Sequence, residues 1–162
     1  MNHKAYLGLG SNLGNKLENL KSAIKVLCNS DCKKLMESSI YVSRPWGFKS
    51  SDLFLNMVIA IETDLSPQDL LKKCKQIEKK IGRKPKKKIK YESRIIDLDI
   101  LYYDDLKINI ENLQIPHPRI KKRLFVLKPL LEIINNDHKD IKSLIYNVLE
   151  AEKKEKLNVF KP

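Results

Sequence analysis

No apolar run in this chain reaches the ~18 residues that a membrane span requires, so no transmembrane segment is expected. Cysteine is scarce, with only Cys28, Cys32 and Cys74 present. Three thiols cannot all pair with one another, which argues against a disulfide framework. The opening Met1-Asn2-His3-Lys4 leads into a brief apolar stretch and a Gly-Ser-Asn turn, unlike a secretory signal. Together these absences predict a cytoplasmic protein with reduced thiols. Internal repeats and low-complexity linkers are missing too, so nothing marks a boundary inside the chain.

What is present suits a folded domain. The 162 residues are 42% apolar and 32% charged, which sets aside disordered and fibrous classes. That length predicts a single domain over 1–162, able to bury ~70% of the surface its unfolded chain exposes. Charge is the feature that asks for a partner: 32 Lys+Arg against 20 Asp+Glu give a formal +12. Such a surplus favours nucleic acid, an anionic membrane or a phosphate-rich small molecule. Arginine is rare, confined to Arg44, Arg83, Arg94, Arg119 and Arg123, while lysine is spread along the chain. The charge alone therefore speaks of solubility and encounter more than of one dedicated surface.

Periodicity predicts the elements. Lys4–Gly10 reads as a buried strand ending in a turn, and Leu17, Leu20, Ile24 and Leu27 place a helix over 15–28. A strand over Leu35–Ser43 is interrupted by Pro45 and Gly47, and Leu55–Thr63 alternates with period two. The next helix is the best specified: Ser66 caps it, Pro67 and Asp69 suit its first turn, and Gly82 stops it. A strand is expected through Ile95–Tyr103. Helices are expected over Leu124–Ile134 and over Ile141–Leu149, where Ile141, Leu144, Ile145, Val148 and Leu149 share a face. The order β-α-β-β-α-β predicts an α+β, ferredoxin-like core: an antiparallel sheet with helices packed on its faces and extra C-terminal helices.

Arg94-Ile-Ile-Asp97-Leu-Asp99-Ile100 is the sharpest chemical feature. Residues two apart in a strand point the same way, so Asp97 and Asp99 share a face with Cα atoms ~7 Å apart. Paired carboxylates on a rigid strand suit Mg²⁺, which completes its shell with water and phosphate. An edge strand with an acidic outer face gives the same pattern; Arg94 and the basic loop beside it favour a phosphate-and-metal site. Gly8-Leu-Gly10-Ser-Asn-Leu-Gly14 fails the dinucleotide-binding spacing and reads as a strand-to-helix turn. Cys28 and Cys32 lack the second pair a structural zinc needs, and Cys28 and Cys74 fall on apolar helix faces. His117, between Pro116 and Pro118, is either a solvated loop histidine or, beside Arg119 and Arg123, a phosphate contact. Trp46, Phe54, Tyr91 and Phe125 fall at element ends, where they either pack locally or form a slot for a flat heterocycle.

These motifs, in this order, resemble the hydroxymethyldihydropterin pyrophosphokinase family of folate biosynthesis. The resemblance is carried by Gly10-Ser11-Asn12, Phe54-Leu-Asn56, Ile77-Glu78-Lys-Lys-Ile-Gly82-Arg83, Arg94 through Ile100, Pro116-His117, Arg123 and Phe125. It implies transfer of the terminal diphosphate of ATP to the hydroxymethyl group of a reduced pterin, releasing AMP. It implies two Mg²⁺ held by Asp97 and Asp99, with Arg83 and Arg94 joining them in catalysis. Ser43, Pro45, Trp46, Phe54, Asn56, Tyr91 and Phe125 would hold the pterin. Leu71, Glu78, Lys86, Arg94, Ile100, His117 and Arg123 would hold ATP. The partners implied are these two small molecules, with no nucleic acid, no membrane and a monomeric chain. The chain departs from the family at Lys90-Tyr91-Glu92-Ser93, where an Arg-Trp-Gly-Pro run is usual, and at Pro85-Lys86, where a loop arginine is usual. The basic run Arg83–Lys90 is expected to act as a lid over ATP. Two other readings remain: a ferredoxin-like RNA-binding module using the basic surface, and a non-catalytic sensor of a small molecule.

Overall fold

The computed structural model describes residues 2–45, 52–82 and 95–162. Its first half runs β1 (His3–Ser11), α1 (Lys16–Leu27), β2 (Cys32–Glu37), β3 (Tyr41–Ser43), β4 (Phe54–Thr63) and α2 (Pro67–Ile81). Its second half runs β5 (Asp97–Tyr103), β6 (Ile108–Ile110), β7 (Leu113–Ile115), a 3₁₀ turn at Ile120–Lys122, α3 (Leu124–Ile133), α4 (Ile141–Glu152) and β8 (Asn158–Val159). The sheet order is β5-β1-β4-β3-β8, with β2 also paired to β4, and all its pairs are antiparallel. This is the expected βαββαβ core with its second strand split in two.

Ser38 explains the split. Its backbone N–H donates to Val58 O at 2.9 Å, and its hydroxyl accepts from Val58 N at 2.9 Å. A side chain thus stands in for one rung of the ladder, and the strand expected over Leu35–Ser43 resumes only at Tyr41. The helix over 67–81 follows the expected signals closely. Ser66 Oγ accepts from Asp69 N at 3.1 Å, and Gly82 closes the helix in the left-handed region at φ 107°. A Cβ on Gly82 would lie 3.3 Å from Ile95 Cδ1, so the two residues sit against each other.

Helices cover the sheet on both faces. Leu20 and Leu27 of α1, and Leu70 and Ile77 of α2, bury Leu7, Leu9, Ile59, Ile61 and Leu98 beneath them. On the other face α3 and α4 bury Tyr6, Val58, Ala60, Leu101 and Tyr102 with Leu124, Leu127, Leu130 and Leu144. Both sets of alternating β4 residues are therefore buried, because β4 lies between two helical layers. In β5 the pairing slips by one between Tyr6 and Leu7 of β1, leaving Leu101 without an opposite residue. That bulge turns Leu101 and Tyr102 both toward α3. Helix α4 departs from expectation: Leu144 and Val148 are buried, but Ile145 and Leu149 are 46% and 58% exposed. Its main contacts are with α3 and the 3₁₀ turn, and that narrow surface covers only part of its apolar stripe.

Candidate active site

Strand register brings the acids to a floor made of glycine. Gly8 pairs with Asp99, and Gly10 pairs with Asp97 on one side and Asn56 on the other. All five residues share the face that α3 covers farther along the sheet. A Cβ on Gly10 would stand 3.2 Å from Asn56 Oδ1 and 3.6 Å from Phe54 Cδ1. Glycine there lets the asparagine and the aromatic ring settle directly on the strand. Asn56 is buried and its Nδ2 donates to Ser43 Oγ at 2.7 Å, which orients the amide across β3 and β4. Phe54, Pro45 and Phe125 are half-buried near this end, and the Arg123 guanidinium lies 5.7 Å from the Phe125 ring centre. Trp46 and Tyr91, expected beside the same slot, lie outside the described residues.

Electrostatics single out Asp99. Burial, and next the like charge of Asp97, hold its carboxyl above the usual carboxylate range, while Arg123 pulls the other way and Glu78 adds to the rise. A partly buried acid whose proton affinity is raised by a neighbouring carboxylate marks a place where a divalent cation would relieve repulsion. Among the described residues no group of three or more His, Cys, Asp or Glu is placed to hold a metal ion. The protein thus offers Mg²⁺ two carboxylates, which fits an ion that draws its remaining ligands from phosphate and water. His117 is fixed nearby: its backbone N–H donates to Leu101 O at 2.9 Å, and Nδ1 accepts from Arg119 N at 3.2 Å. Burial and then Arg123 lower its pKa to about 4 against a smaller pull from Asp97, so the ring is neutral with its proton on Nε2.

A cavity of about 570 Å³ opens at the outer edge of β5. Its wall consists of Leu71 and Lys75 of α2, Leu98, Asp99 and Ile100 of β5, the β6–β7 hairpin from Asn109 to Gln114, and His117 with Pro118. That volume suits a small-molecule ligand. It gathers Leu71, Ile100 and His117, three of the residues expected at ATP, and meets the acid floor at Asp99. Glu78 is not in the wall: it is 3% exposed and its Oε1 accepts from Leu98 N at 2.9 Å. Arg123, 8% exposed, is close enough for its charge to act on both Asp99 and His117. Arg83, Lys86 and Arg94, like the basic run expected to form a lid, lie outside the described residues. Lys75 and the hairpin had no place among the expected site residues. Their signal was there, since Ile108-Asn-Ile and Leu113-Gln-Ile flank a two-residue turn.

A family model described as 7,8-dihydro-6-hydroxymethylpterin-pyrophosphokinase matches residues 6–135. The chain is 44% identical over 132 residues to a 2-amino-4-hydroxy-6-hydroxymethyldihydropteridine pyrophosphokinase from Aquifex aeolicus, covering 81% of this chain and 80% of that one. A protein of the same name from Bacillus subtilis is 40% identical over 144 residues, covering 88% and 85%. Among solved structures, a Plasmodium falciparum HPPK-DHPS superimposes with a TM-score of 0.72 at 15% identity. That match shows the fold, covering 94% of this chain but only 44% of the Plasmodium chain. The RNA-binding alternative finds no support here. Its open aromatic sheet face is replaced by α3 over one half and by two carboxylates over the other.

Proposed function

The chain belongs to the 7,8-dihydro-6-hydroxymethylpterin pyrophosphokinase family and carries out ATP-dependent pyrophosphoryl transfer in folate biosynthesis; from that premise we propose that the floor of Gly10, Asn56, Asp97 and Asp99 is where the transfer occurs. The observation that carries this is the double membership of Asp99. It lines the cavity at the β5 edge and also shares a sheet face with Asn56. One carboxylate therefore borders the cavity on one side and shares the sheet face of Asn56 on the other.

ATP and a pterin are the substrates. The adenosine end enters between Leu71 and the β6–β7 hairpin, which directs the phosphates toward Asp99 and His117. Neutral His117 offers its Nε2–H to a phosphate oxygen, and Arg123, with Arg83, Lys86 and Arg94, supplies positive charge. The pterin lies against Phe54 and Phe125, with Pro45, Trp46 and Tyr91 at its margins, and Asn56 held by Ser43 reads its polar edge. The pterin hydroxymethyl oxygen attacks the β-phosphorus and its proton passes to the medium. The bond from that phosphorus to the bridging α-phosphate oxygen breaks, and this oxygen keeps the electron pair and leaves as part of AMP. Asp97 and Asp99 would hold two Mg²⁺, which supply charge neutralisation along the triphosphate. The shared face of the two carboxylates sets where that neutralisation would fall, and the aromatic slot excludes water from the transfer. The whole of 1–162 is one such domain, acting as a monomer in the cytoplasm, with no helix among the described residues long and apolar enough to cross a membrane.

The test is to incubate the protein with ATP, Mg²⁺ and 6-hydroxymethyl-7,8-dihydropterin and resolve the nucleotides. AMP is expected in proportion to pterin consumed. Stoichiometric ADP would assign the site to ordinary phosphoryl transfer instead.

A further inference from the structure

We propose that Glu78 is a positioning residue for the two metal-binding carboxylates, acting by the reach of its side chain rather than by its charge. The inference rests on the assignment of Asp97 and Asp99 above. Among the described residues β5 pairs as a strand with β1 alone, and on its other side the Leu101 carbonyl accepts from His117 N at 2.9 Å. Every second N–H on its outer side points away from the sheet and needs a partner when buried. Leu98 is 1% exposed and sits between the two acids, and its N–H donates to Glu78 Oε1 at 2.9 Å. Glu78 lies near the end of α2, so its carboxylate ties that helix to the backbone that carries both aspartates. The other oxygen faces Lys75 Nζ at 3.8 Å, on the side of the nucleotide cavity.

This arrangement has a mechanical meaning. A two-carboxylate site depends on the spacing of Asp97 and Asp99, and that spacing is set by the φ and ψ of Leu98 between them. Leu98 is pinned from below by its packing in the α1–α2 core and from the outer edge by Glu78. Without the outer bond at Leu98 the acid-bearing half of the strand, ahead of the His117 tie at Leu101, could twist about its ladder to β1, and both acids would move together. Partners of this kind, behind the ligands themselves, typically change metal affinity by 10–100-fold when removed.

Reach and charge separate cleanly in two variants. Glu78→Gln keeps the length and an oxygen that accepts from Leu98 N but discards the charge. Glu78→Asp keeps the charge but falls one methylene short. Mn²⁺ binding is followed by electron paramagnetic resonance with a non-hydrolysable ATP analogue present, and Leu98 amide exchange is followed by NMR. Glu78→Gln should bind Mn²⁺ within about threefold of wild type, and Glu78→Asp should bind roughly 10–100-fold more weakly. The Leu98 amide should exchange faster in Glu78→Asp alone. The reverse order, or equal binding by both variants and wild type, overturns the proposal. Should Glu78→Asp fail to fold, Glu78→Gln still decides, because weakened Mn²⁺ binding there contradicts a role based on reach. If wild type itself takes up no Mn²⁺, the metal assignment of Asp97 and Asp99 falls; normal uptake with no effect of either variant overturns only the role of Glu78.

Discussion

Asp99 titrates above its ordinary range because burial and Asp97 disfavour its charge. A folded-state pKa above the unfolded one means that ionising the group costs stability, increasingly so as pH rises from the unfolded value toward the folded one. Asp99→Asn is therefore expected to keep or raise the melting temperature of the ligand-free protein at pH 7. Turnover should nonetheless fall roughly 100-fold or more, as when a group that meets transition-state charge is removed. Calorimetry and a steady-state assay test the pair of effects, and a clear loss of stability with activity retained would count against them. His117 has the opposite sign. Its pKa falls from 6.5 to about 4 in the fold, so the unfolded chain takes up a proton that the folded one refuses. Its contribution is constant above pH 6.5 and declines as pH falls through that window toward 4. Melting temperatures between pH 7.5 and 4.5 should consequently fall less steeply for His117→Gln than for wild type. Identical slopes would show that the ring is not held neutral.

Ser38 is a residue whose importance belongs to the element it interrupts. It is 7% exposed, accepts from Val58 N at 2.9 Å and donates to Ser39 O at 2.7 Å. Ser38→Ala should strand a buried amide and lower the unfolding free energy by about 1–3 kcal/mol, read by chemical denaturation. A change below about 0.5 kcal/mol would mean that water replaces the hydroxyl. The break at Ser38 was not legible in the sequence, because a serine beside β-forming residues carries no mark of what its hydroxyl bonds. Helix α2 was legible nearly to the residue, since Ser66, Pro67 and Gly82 are local signals with local causes. So was the shared face of Asp97 and Asp99, which needs only the period of a strand. The hairpin at the cavity escaped because its strands are three residues each, pair only with one another, and are too short for their alternation to stand out. The exposure of Ile145 and Leu149 escaped for a related reason: periodicity gives the width of an apolar stripe but not the width of the surface that meets it.

For the molecule as a whole, ligands should act as the missing part of the structure. The proposed site draws on β1, β3, β4, β5, the β6–β7 hairpin, α2 and the start of α3, so occupancy should tie the two helical layers through the sheet. An ATP analogue with Mg²⁺, at 100 times its dissociation constant, should add about 2.7 kcal/mol, equivalent to roughly 5–10 °C in melting temperature for a chain of this size. With EDTA in place of Mg²⁺ the shift should shrink to a small fraction. An equal shift in both conditions would show that the acids take no part in binding the triphosphate. The contact of Gly82 with Ile95 bears on a different question, that of how freely the chain can be lengthened. These two residues are the stems of the basic segment, and the fold holds them together whatever number of residues joins them. Closure entropy rises only with the logarithm of that number, by about 0.6 kcal/mol for each doubling. Insertions between the stems are thus nearly invisible to folding, and natural selection can adjust the length and composition of that stretch for chemistry alone.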